Sequence, residues 1–104
     1  MANPFAGEVE LCVDGARLPA KLTLGALAEL EAGLGTGTLA ELVGRFESGA
    51  FSGRDLMLLI TAGLRGGGWQ GRAEDLLTAE IEGGPVGAAE AAARMLALAF
   101  RVPE

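Results

Sequence analysis

Enzymes draw most of their chemistry from a short set of side chains, and this sequence holds few of them. It has no histidine and a single cysteine, Cys12. The commonest general base and metal ligand is therefore missing, and a lone cysteine without histidine makes neither a Cys/His dyad nor a zinc site. Cys12 falls within an alternating apolar run, a setting for a structural thiol rather than a reactive one, which needs positive charge nearby. Carboxylates are plentiful as Glu29 and Glu31, Glu74 and Asp75, and Glu80 and Glu82. None comes with a second catalytic residue type, and they read as solvated helix faces. Gly33-Leu34-Gly35-Thr36-Gly37 has the glycine content of a phosphate loop. It follows a helical stretch rather than a strand, and it lacks the order of a dinucleotide or P-loop motif. It is read as a helix–helix connection. These residues predict no enzyme, no metal and no cofactor.

Arg65-Gly66-Gly67-Gly68-Trp69-Gln70-Gly71 is the most unusual stretch. It places the single tryptophan in a glycine-rich loop. Trp69 either folds back to plug a small core or stands out as an anchor for a partner.

The elements that must carry these residues belong to one domain. At 104 residues, half of them hydrophobic, the chain is long enough for a modest core and too short for two. Its apolar residues are mostly Ala and Leu, which suits packed helices. The formal net charge of −6 repels phosphate backbones and anionic bilayers, so neither nucleic acid nor membrane is expected as a partner. No apolar run approaches a membrane span, residues 1–10 lack the pattern of a signal peptide, and a cytoplasmic location follows as the expectation.

Residues 8–22 predict a β-hairpin. Val9, Leu11 and Val13 alternate with Glu8, Glu10 and Cys12, and Asp14-Gly15 is a favoured type I′ turn pair. That turn sets Leu11 opposite Leu18, Val9 opposite Ala20 and Glu8 opposite Lys21, with Pro19 at a position that needs no ladder N–H. Helices are predicted over about 23–33, 38–48, 52–65, 73–82 and 85–101, which makes the class α+β, mostly α. Thr38-Leu39-Ala40-Glu41 is a capping box. Leu39, Leu42, Val43 and Phe46 form an amphipathic stripe behind it. Ser52 caps the third helix, with Asp55 complementing its dipole and Phe51 and Leu56 at staple positions. The expected inward residues are Leu24, Leu27, Ala28 and Leu34 in the first helix, and Leu56, Leu59, Ile60 and Gly63 or Leu64 in the third. In the fourth they are Leu76, Leu77 and Ile81. The last helix, opened by Pro85, shows the stripe Val86, Ala89, Ala93, Leu96 and Phe100, widened by Ala88, Ala92, Met95 and Ala99. Glu90 and Arg94 stand as an i, i+4 pair. This helix carries more apolar surface than an outer helix needs.

Several segments in this order resemble a known family: Ala20-Lys21-Leu22-Thr23-Leu24-Gly25-Ala26-Leu27-Ala28-Glu29-Leu30-Glu31, then Gly49-Ala50-Phe51-Ser52, then Ala62-Gly63-Leu64-Arg65-Gly66-Gly67-Gly68-Trp69, then Ala79-Glu80-Ile81-Glu82-Gly83-Gly84-Pro85. With the alanine-rich last helix ending near Phe100, the sequence is similar to the tail assembly chaperones of bacterial gene transfer agents and tailed phages. The resemblance implies a factor in the bacterial cytoplasm that coats the tape measure protein while the tail tube polymerises, with the tail tube protein as a further partner. A structural role as a tube or tube-terminator subunit is the alternative, and self-association is open. No family residues are carried over. From the residues themselves, Phe51, Trp69, Met95 and Phe100 are the large side chains expected to anchor a partner.

Overall fold

The computed structural model describes residues 7–100. Its elements run β1 (Glu8–Val13), β2 (Ala16–Lys21), α1 (Leu24–Leu34), α2 (Leu39–Ser48), α3 (Gly53–Gly66), α4 (Ala73–Leu76) and α5 (Gly84–Ala99). The fold is α+β and mostly α, as the pattern predicts.

The hairpin forms in the predicted register, with Glu8 opposite Lys21, Val9 opposite Ala20 and Leu11 opposite Leu18. Asp14 and Gly15 both take positive φ, 49° and 82°, which is what a type I′ turn demands. Pro19 faces Glu10, a pair whose backbone groups point away from the partner strand, so its missing N–H costs the ladder nothing. Val9, Leu11, Val13 and Ala20 are buried on one face, which lies on α3 and α5.

The glycine run after α3 has a packing reason. A Cβ on Gly66 would stand 2.0 Å from the Lys21 carbonyl oxygen, and one on Gly67 would stand 2.0 Å from that of Pro19. The end of α3 therefore closes directly over the outer edge of β2, and only residues without side chains allow it. Together with Pro19, this shields an edge that would otherwise invite another strand.

Helix α3 sits in the middle, touching α1, α4, α5 and β2. It contributes Leu59, Ile60 and Leu64 to the fully enclosed core, joined by Leu30, Leu42 and Met95. Met95 fits against Gly63, where a Cβ would come within 2.3 Å of its sulfur.

Three expectations are corrected. In α1 the buried residues are Ala26 and Leu30, whereas Ala28 is exposed and Leu24 is 87% exposed. The helix meets α3 through Ala26, 3.2 Å from where a Gly66 Cβ would sit, and this close small-residue contact turns Leu24 outward. The helix expected over 73–82 is a single turn ending at Leu76. Beyond it Leu77 is 72% exposed, and residues 80–82 run as an extended segment beside β1. The Asp14 N–H donates to the Glu80 carbonyl at 2.7 Å and the Glu82 N–H to the Cys12 carbonyl at 3.0 Å. The Asp14 carboxylate accepts the Glu80 N–H at 2.9 Å, and Val13 bridges Ile81. An open strand edge offering these bonds outweighs weak helix propensity. In α5 the buried stripe is Ala88, Ala91, Ala92, Met95 and Leu96. Val86, at 68%, and Phe100, at 45%, face solvent with Ala93 and Ala99. Glu90 and Arg94 form no ion pair with each other; the described ion pairs are Arg17–Glu10, Arg45–Asp55 and Arg65–Glu29.

Candidate partner-binding surface

The surface that stands out lies between α2 and α5, and its construction begins with the capping of α2. The Glu41 N–H donates to the Thr38 hydroxyl and the Thr38 N–H to the Glu41 carboxylate, both at 3.1 Å, completing the predicted capping box. At the far end Gly49 adopts the left-handed conformation, φ 78°, and closes the helix. Arg45 then ties α2 to α3: its Nε and one terminal nitrogen donate to the two carboxylate oxygens of Asp55 at 2.8 and 2.9 Å. Asp55 is buried and also accepts the Ser52 N–H at 2.9 Å. The Arg45 guanidinium above all, and then the Ser52 N–H, hold the Asp55 carboxyl below its ordinary range against the opposing effect of burial. Sequence placed Asp55 as a dipole partner only. Its pairing with a residue ten positions earlier has no local signature.

With α2 fixed this way, Phe46 lies face to face with Phe51, their ring centroids 4.3 Å apart and their planes 2° from parallel. Val43, Phe46 and Glu47 of α2 then face Ala93, Leu96 and Ala97 of α5 across a groove of about 290 Å³, with Phe100 as its end wall. The alanines of α5 are too short to fill the space that the aromatic ring leaves, so the groove stays open and apolar.

Of the four anchors expected from sequence, the structure brings two to this surface. Phe100 lines the groove, and Phe51 supports it from behind Phe46, a contact the staple reading did not include. Met95 is fully buried and belongs to the core, packed against Gly63 of α3. Trp69 lies past the other end of α3, roughly 20 Å of helix away from Phe51. Its backbone N–H donates to the Leu64 carbonyl at 2.9 Å, its side chain is partly buried against the core, and its ring covers Gly71, where a Cβ would stand 2.0 Å from the indole. Trp69 has folded back, so the plug is the conformation observed. Phe46 and Val43, which belong to the amphipathic stripe read from the sequence, are groove residues. The overlooked signal was the pairing of that stripe with a facing helix made of alanine.

Cys12 lies opposite Arg17. Partial burial foremost, and then the Glu82 carboxylate, push its thiol above the ordinary value, with Arg17 pulling the other way. That opposes thiolate chemistry. Among the described residues no cluster of three His, Cys, Asp or Glu gathers to hold a metal, and no helix is long and apolar enough to cross a membrane.

A family model described as "Phage tail tube protein, GTA-gp10" matches residues 6–102. The chain belongs to that family. No curated protein and no solved structure matches it. Membership in the GTA-gp10 family places the chain among phage and gene transfer agent tail proteins, in agreement with the ordered segments from Ala20 to Pro85. The description names a tail tube protein and not a chaperone. The groove between α2 and α5 is thus a surface of a tail protein.

Proposed function

We propose that this GTA-gp10 family member is a tail assembly chaperone that acts by binding and not by catalysis. It takes up helical segments of the tape measure protein in the cytoplasm while the tail tube is built. The observation that carries this reading is the α2–α5 groove: an open, mostly apolar channel about two helical turns long, from Ala93 to a half-exposed Phe100. A groove of this kind suits the apolar face of an amphipathic helix, and exposed apolar surface on a small domain marks a place for a partner. Phe46 and Phe100 are the anchors, with Phe51 holding the Phe46 ring.

Co-expression with the tape measure protein tests it. The tape measure should stay soluble and co-purify with the chain. A Phe100→Ser variant, altered at a half-exposed end residue, should fold normally and lose the complex. Equal solubility of the tape measure with and without the chain, and no complex on gel filtration, would refute the reading.

A second reading has one observation in its favour. The family's description is that of a tail tube protein, which points to a structural subunit. Against it stands the small sheet. One edge is closed by α3 and the other is partly taken by residues 80–82, so little strand edge is left for building a tube through β pairing. Mass spectrometry of purified particles separates the two: a chaperone is absent from the finished tail, and a tube subunit is present in stoichiometric amount.

A further inference from the structure

The outer face of α5 carries a pattern that complements itself. Val86, Glu90, Ala93 and Ala97 follow one another at intervals of four, three and four residues, which puts them in one line along a helix, on the side away from the buried line Ala88, Ala92 and Met95. Val86 is 68% exposed, and Glu90, Ala93, Arg94 and Ala97 are exposed with it. Glu90 and Arg94 take part in none of the described ion pairs or side-chain hydrogen bonds. A line of Val86, Ala93 and Ala97 interrupted by Glu90 and flanked by Arg94, two charges with no ion pair among the described residues, invites a partner of matching shape and charge.

We propose that this partner is a second copy of the chain, packed α5 against α5 in antiparallel orientation about a two-fold axis. The two-fold that sets Val86 opposite the second copy's Ala97 also sets Glu90 opposite the second copy's Ala93, with the second copy's Arg94 alongside. By symmetry each Glu90 meets the other copy's Arg94, so two crossing ion pairs form from charges that have no ion-pair partner among the described residues of one copy. Placed opposite the second copy's Ala97, Val86 meets the edge of the other copy's groove, which Ala97 lines with Phe46 and Phe100. The facing small residues Ala93 and Ala97 let the two helix backbones approach closely. Both copies thereby cover the apolar surface that each exposes alone. The contact overlaps the groove assigned to the tape measure helix, so a dimer must open to receive it. The dimer does not depend on that assignment, because it is measured with this chain alone.

The experiment is sedimentation equilibrium of the full chain across micromolar to millimolar concentrations. The expected result is a reversible rise from 10.6 kDa to twice that mass. Glu90→Arg and Arg94→Glu each set like charges face to face at both crossings and should raise the dissociation constant about tenfold or more. The double swap, Glu90→Arg with Arg94→Glu, rebuilds both pairs with reversed sign and should return it to within about threefold of the parent. Val86→Asp, which leaves both charges in place, should give a monomer, and its circular dichroism and unfolding midpoint should match those of the parent at high dilution. A parent that is monomeric at every concentration overturns the proposal. So does a dimer indifferent to the single reversals and to Val86→Asp, or one that the double swap fails to restore.

Discussion

Helices α3 and α5 meet at Gly63 and Met95, yet they stand in opposite relation to solvent. α3 is enclosed by α1, α4, α5 and β2. Its close contacts are jammed: added carbons at Gly63, Gly66 and Gly67 would come within 2.3 Å of neighbouring atoms. α5 is closed on one face, and along the other Val86, Ala93, Ala97 and Phe100 remain open. The contrast separates two uses of small residues. In α3 the missing side chains are filled by other parts of the same chain and hold the fold together. In α5 the alanines leave room that nothing in the described chain fills, and the proposed partner would occupy it.

Substitutions along the two helices put this contrast to the test. The largest effect belongs to Leu59→Ala, because Leu59 is fully buried. It should lower unfolding free energy by about 3 kcal/mol or more, measured by urea denaturation. Gly67→Ala comes next. Gly67 has φ −84°, an ordinary conformation, so any loss is steric: the new carbon meets backbone that cannot rotate away, and about 2 kcal/mol should be lost. Gly44→Ala is its control, since nothing lies within 4 Å of the added carbon and the position is helical. It should stabilise by roughly 0.5–1 kcal/mol. If Gly67→Ala proves as favourable as Gly44→Ala, α3 does not close on β2 as described.

Asp55→Asn is expected to cost somewhat less, about 1–2 kcal/mol, through loss of the bidentate Arg45 pair. It also carries a pH signature. Because the native carboxyl is held below the ordinary value of 3.8, the unfolded state takes up the proton first. The contribution of the pair is complete above that value and is lost as pH falls through the lower native one. Unfolding midpoints of Asp55→Asn should therefore show a shallower decline in acid than those of the parent. Parallel declines would mean that the pair does not form in solution. The smallest stability effect is expected for Phe100→Ser, within about 0.5 kcal/mol. Its consequence should appear in binding of the tape measure protein instead. A large loss of stability there would place Phe100 in the core and remove the contrast between the helices.

Local patterns were the legible part of the molecule. Asp14-Gly15 determined the hairpin and its register because a two-residue type I′ turn leaves one alignment of the flanking strands. Thr38 with Glu41 and Ser52 with Asp55 marked helix starts for the same kind of reason: caps act within four residues. Ordered segments across the chain pointed to the phage and gene transfer agent tail proteins, and the family match bears that out.

Only the tertiary structure decided which side of α5 is buried, because alanine occupies both sides and carries too little apolar surface to choose between them. It also decided that residues 80–82 pair with β1 instead of extending α4, since hydrogen bonds offered by a strand nearly seventy positions earlier leave no trace in local sequence. Arg45 with Asp55, Phe46 with Phe51 and Gly67 with Pro19 are settled in the same way. Each partner looks ordinary in its own segment. Their roles appear only when α2, α3 and the hairpin are brought together, because close packing and paired charge depend on distance in space and not along the chain.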